Sequence, residues 1–175
     1  LPEVAALKRV CVEAEKRIVE VAAGKLDKLG EVYLRALRGL DEKIRLTGDL
    51  EGLMAYRKCV SAVHKRMDKL PEKVSDEVPD AVRSLQARAL EKRTALLNER
   101  DVDILKLRRR YQRELEKLKR NLTIQDRLAD ALAVRDELAK IDDDTERITT
   151  RLTARRPSPA PVTASTRPAA SPVRP

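Results

Sequence analysis

Apolar residues return every three or four positions from residue 3 to residue 46: Val4, Leu7, Cys11, Ala14, Ile18, Ala22, Leu26, Leu29, Tyr33, Leu37, Leu40 and Ile44. That is the period of one helix face, so the spacing predicts a long amphipathic helix of about 66 Å at 1.5 Å per residue. Two consecutive steps of four at 18–22–26 would locally unwind a supercoil, and Gly24 and Gly30 nearby leave two alternatives, one continuous helix or a bend there that divides it. Thr47-Gly48-Asp49 is a stop followed by a restart. Gly48 can take the left-handed conformation that closes a helix, and Asp49 can cap the next one. Leu50, Leu53, Arg57, Val60, Val63 and Met67 then trace a shorter helix that returns antiparallel and ends by Pro71.

The pattern then starts again. Pro71–Pro79 reads as a linker, with Pro79 placed to open a helix. A second long helix is expected over 80–122, with Leu90, Leu97, Ile104, Tyr111 and Leu118 at intervals of seven. Its alternate seam positions Thr94, Asp101 and Arg108 make the middle of that seam polar, which weakens it. A fourth helix is expected over 125–145 through Leu128, Leu132, Leu138 and Ile141, its turn carrying Asp126 where the first unit has glycine.

An overlay at an offset of 78 residues makes the repetition explicit. Val4/Val82, Leu7/Leu85, Glu13/Glu91, Leu29/Leu107, Tyr33/Tyr111, Arg35/Arg113, Leu37/Leu115, Leu40/Leu118, Leu50/Leu128, Ala55/Ala133 and Arg57/Arg135 are identical. Seven more positions, Leu46/Ile124 and Met54/Leu132 among them, exchange one apolar residue for another. A chance overlay of so biased a composition gives about four or five identities, so a duplicated helical unit is the better account.

Composition agrees with thin helix–helix seams. Charged residues are 38%, aromatics 2%, and Phe and Trp are absent, which is the profile of coiled coils and long helices. The expectation is an all-α chain of two tandem long–short antiparallel hairpins in a coiled-coil or four-helix arrangement. Residues 1–70 and 80–145 form the hairpins, 71–79 the linker, and 146–175 a disordered Pro/Ala/Arg-rich tail. Asp142–Asp144 would then sit at a fraying helix end, a poor place for negative charge. Residues 147–175 hold six arginines and no acid, so of the net +9 only +3 belongs to residues 1–146. A nearly balanced body does not favour nucleic acid as a partner.

The candidate chemistry is sparse. His64 is the single histidine and has only Asp68 as a potential co-ligand at helical spacing, so it reads as a structural side chain. Cys11 and Cys59 lack metal spacing and lie too far apart along the expected hairpin for a disulfide. No catalytic, cofactor-binding or metal-ligating set emerges, and no enzyme is expected. The residues singled out are Gly48, Asp49 and Asp126 at the turns, and Tyr33, Leu37, Leu40, Tyr111, Leu115 and Leu118 in the repeat seam, each tyrosine hydroxyl reaching the rim. Arg108, Arg109 and Arg110 form the densest basic spot, a candidate anion contact set against a plain solvated face paired to Glu114 and Glu116.

Tyr33-Leu-Arg-Ala-Leu37-x-x-Leu40 followed by Gly48-Asp-Leu-Glu-Gly-Leu-Met-Ala-Tyr-Arg57 resembles a helical-hairpin repeat of exported proteins in planctomycetes and related bacteria. Its recurring form is a tyrosine in a Leu-rich long helix, Gly-Asp-Leu, then a short helix reading Ala-Leu-Ala-Val-Arg-x-Glu. Tyr111-Gln-Arg-Glu-Leu115 and Ala131-Leu-Ala-Val-Arg-Asp-Glu137 are similar, without the Gly-Asp-Leu. The resemblance implies a spacer or stalk beside extracellular modules and no catalytic residues.

The expected function is therefore a non-enzymatic helical spacer that mediates protein–protein association at the cell envelope, by self-association or through neighbouring domains. The alternative is a polyanion- or nucleic-acid-associated basic helical protein that uses Arg108–Arg110 and the Arg-rich tail. No small-molecule substrate, cofactor or membrane-spanning segment is expected. The opening Leu-Pro-Glu, without Met, suits a trimmed segment or a mature product after signal-peptide removal, so an exported or periplasmic address is expected, with a cytoplasmic one as the alternative.

Overall fold

A computed structural model describes residues 1–66 and 69–155, and these are all-α. The helices are α1 (Pro2–Arg38), α2 (Asp41–Leu46), α3 (Leu50–His64), α4 (Asp80–Ile124) and α5 (Leu128–Ala154). Met67, Asp68 and most of the expected tail, residues 156–175, lie outside the described residues.

Two helix boundaries differ from expectation. The first long helix does not divide at Gly24 or Gly30; it runs unbroken through both and stops at Gly39-Leu40, after which α2 adds a short piece. Neither glycine has a positive φ, and a helix buried along one face by its neighbours tolerates the small propensity loss. The last helix does not end at 145. It continues to Ala154 because Ile148 and Leu152 prolong its stripe, Ile148 being buried against Ile104 and Leu105. Residues 146–154 therefore belong to the second hairpin rather than to the tail.

The turns use the residues expected of them. Gly48 has φ +70°, and Asp49 caps α3 by accepting a hydrogen bond from the Gly52 amide at 3.0 Å. In the second unit Asp126 takes the glycine's place with φ +57°. A side chain in the left-handed region costs energy that glycine avoids. Asp126→Gly is expected to stabilise the protein by about 0.5–1 kcal/mol, measured by urea unfolding; a neutral or destabilising result would show that this turn carries no strain.

The two hairpins do not stand side by side as independent modules. Lys25 on α1 pairs with Glu99 on α4 at 2.7 Å, and Glu15 with Arg108 at 3.1 Å. In both bridges the residue numbers add to 123 or 124, so α1 and α4 run antiparallel along their lengths. The half of α1 that α3 leaves bare is covered by the far half of α4, and the converse holds. A bare half of a long helix is a seam open to a second chain, and within one chain that seam is already closed.

Combined with the 78-residue offset, this register makes a pseudo-two-fold axis that crosses the rod near Ala22 and Asp101. One end holds a core of Tyr33, Leu34, Leu37, Ile44, Tyr56 and Val63 with Val82 and Ala89 of α4. The other end holds Tyr111, Leu115, Leu122, Ala131, Val134, Leu138 and Ile141 with Cys11 of α1. Tyr33/Tyr111, Leu37/Leu115, Ile44/Leu122 and Val63/Ile141 are equivalent pairs, all buried. The segment after α3 joins the first core too, through Leu70 and the linker's Val78. Leu70 is 0% exposed, and its equivalent in the second unit is Ile148. A loop delivers one and a helix the other.

Candidate functional site

Where the axis crosses, the rod is polar. Asp101 is the one charged side chain buried completely among the described residues, at 0% exposure. It accepts from Arg100 through Nε at 2.9 Å and a terminal nitrogen at 2.6 Å, and from Arg155 at 2.7 Å. Both arginines are about one-quarter exposed, so the carboxylate is held from the rim inward. Across from it the register puts Ala22, small enough to leave the layer room. Seven residues further along α4, Arg108 reaches Glu15 on α1 and Asp144 on α5, the latter at 3.0 Å. These contacts tie three helices together in charge-assisted hydrogen bonds, which hold more strongly than neutral ones.

This layer corrects two readings of the sequence. Arg108 is drawn into the rod, while Arg109 and Arg110 are exposed. Successive residues lie 100° apart on a helix, so three in a row cannot share one face. Glu114 and Glu116 pair with Lys117 and Lys119 rather than with the arginines. Asp142–Asp144 lies inside α5 instead of at its end: Asp142 accepts from Gln112 and Asp144 from Arg108. A cleft of about 930 Å³ opens over the layer between α1, α4 and the extension of α5. Its deepest charges, Asp101, Arg100 and Arg108, already satisfy each other or their neighbours.

The seam residues lie where the periodicity puts them. Tyr33, Leu37, Tyr111 and Leu115 are buried, and Leu40 and Leu118 pack partly buried against the same cores. The tyrosine hydroxyls do not reach the rim, however. Both are buried without a hydrogen-bond partner, the Tyr33 hydroxyl near Cys59 and Gln86, which bond to each other at 3.3 Å. Tyr56, which periodicity did not single out, does the anchoring: its hydroxyl donates to the Leu37 carbonyl at 2.9 Å and ties α3 to the end of α1. That carbonyl, near the helix terminus, also accepts from the Leu40 amide at 3.1 Å, so the phenol takes its second lone pair.

A pair of conservative variants follows. Tyr56→Phe is expected to lose about 1 kcal/mol, the net value of a buried hydrogen bond, whereas Tyr33→Phe removes an unpaired group and is expected to be neutral or stabilising. Denaturant midpoints of the two variants check this, and equal losses would contradict it.

Burial raises all three phenols above their ordinary value near 10, Tyr111 to about 12 with Glu137 and Cys11 adding to the effect. A folded pKa above the unfolded one means that the folded state keeps its proton longer. The stability linked to it is complete below about pH 10 and falls as pH rises toward 12. Alkaline titration is therefore expected to show tyrosinate absorbance and loss of helix rising together. Tyrosinate formed near pH 10 with helicity intact would count against it.

Of the remaining candidates, Cys11 is buried, its thiol pushed up chiefly by burial, and it sits in a different core from Cys59; both are free. His64 is exposed, and its Nε2 accepts from Arg38 at 3.1 Å. Among the described residues no cluster of His, Cys, Asp and Glu could hold a metal ion. None of their helices is long and apolar enough to cross a membrane. Fold and site together define an all-α, pseudo-symmetric rod with a charged middle. No protein-family model, no curated protein and no solved structure matches the chain.

Proposed function

We propose that this protein is a non-enzymatic helical spacer that holds partners or neighbouring domains apart, at the cell envelope of a bacterium that exports it. The observation that carries the reading is the antiparallel pairing of α1 with α4, which spends both long seams on stiffness and presents the two hairpin turns at opposite ends. Along α4 the separation is about 68 Å at 1.5 Å per residue. A stalk needs a fixed length and inert flanks, and the mutually paired charges along this rod supply the second. The resemblance to exported hairpin repeats supports the address.

Cysteine labels at positions 48 and 126, in a chain whose own cysteines are replaced, test the length by energy transfer. A narrow distance distribution near the length of α4 is expected, and a short or broad one overturns the rod. The polyanion alternative would have to work through Arg109, Arg110 and the tail, since Arg108 is committed to Glu15 and Asp144. Binding to a nucleic-acid homopolymer that weakens steeply with salt would favour it.

A further inference from the structure

The two turns are also where the rod leaves apolar surface in water. Among the described residues every exposed Leu, Ile or Met except the terminal Leu1 lies there. One tip carries Leu46, Leu50 and Met54, which are 82%, 69% and 64% exposed. The other carries Ile124, Leu128 and Leu132, at 77%, 57% and 50%. These are three equivalent pairs at the 78-residue offset. Single exposed apolar residues need no explanation, but these have stayed apolar in both copies. Elsewhere the exposed Val10, Val21 and Val32 correspond to Arg88, Glu99 and Arg110, while the exposed Val12 and Val19 correspond to the half-buried Leu90 and Leu97, so only the tip pairs are both apolar and exposed in both copies.

We propose that each tip docks onto the tip of a second copy of this chain, joining rods end to end. The inference extends the spacer reading and rests on it. Charge points to a second copy as occupant. Residues 41–58 carry four acids and four bases, and residues 119–136 three acids and four bases, so each tip is close to neutral. Two such ends meet without net repulsion, and each brings both signs to the contact. Because the same patch meets itself, a joint is two-fold symmetric, and because the second patch lies at the far end, joining does not close a ring. Three side chains a side fall well short of the roughly 800 Å² per partner of a stable interface, so each joint is weak and reversible. Strings then grow with concentration.

Sedimentation and light scattering of the full chain, from micromolar to millimolar, test this alongside three variants: Leu50→Glu/Met54→Lys, Leu128→Glu/Leu132→Lys, and all four changes together. The wild type is expected to pass beyond two chains as concentration rises. Each single-tip variant is expected to stop at two, and the four-fold variant to stay single with unchanged helicity. A wild type that remains single at millimolar concentration gives the tips to a different partner and overturns the proposal. Arrest of the wild type at two chains, or association of the four-fold variant, overturns it as well. Small-angle scattering of the four-fold variant reads the rod independently: an extended particle leaves the spacer standing if the joints fail, and a compact one removes both.

Discussion

Replacing Arg100 and Arg155 together by Met is expected to cost about 3–5 kcal/mol of stability, because it leaves a buried carboxylate with no counter-charge. Asp101 is fully enclosed, while its two partners keep part of their surface in water. That asymmetry predicts an order among variants. Asp101→Leu alone should cost less, since the released arginines can turn outward to solvent. The triple change Arg100→Met/Asp101→Leu/Arg155→Met should recover most of the loss, as an apolar layer replaces an ionic one. Denaturant unfolding of the four proteins measures this. If the double arginine variant proved as stable as the wild type, the carboxylate would have to be solvated and the middle of the rod open.

The second large effect is at the ends. Leu37 and Leu115 are equivalent, each 0% exposed, and each sits in its own core. Leu→Ala at either is expected to cost about 3 kcal/mol, the transfer loss plus the cavity left behind. In a chain of this size that lowers Tm by about 6–12 °C. The two cores share no contact, so the losses should add in the double variant to within about 0.5 kcal/mol. Thermal melts of the single and double variants check both statements. Marked non-additivity would mean that the cores are coupled through α1 and α4 more tightly than their separation implies.

The elements were legible because they rest on local rules. The 3.6-residue period gives the helices, Thr47-Gly48-Asp49 gives the first turn, and the 78-residue overlay locates the second. The seam residues followed from the same period. What escaped was set by partners distant in sequence. Val78 looks like linker until the first core receives it, and Ile148 looks like tail until Ile104 and Leu105 receive it. Asp142–Asp144 looks like a frayed end until Gln112 and Arg108 supply donors. Arg108 reads as a free cation because its acids lie 93 residues before it and 36 after it. The importance of Tyr56 depends on a single carbonyl across the hairpin, which no spacing announces.

Backbone propensity and apolar spacing act within a few residues, so the chain alone decided that there would be two long–short hairpins and where their turns would fall. Only the folded molecule decided that the hairpins interlock head to tail, because that choice depends on the bare half of each long helix being covered by the far half of the other. Burial between elements far apart in the chain made Asp101 an internal ion and left six apolar side chains at the tips without cover.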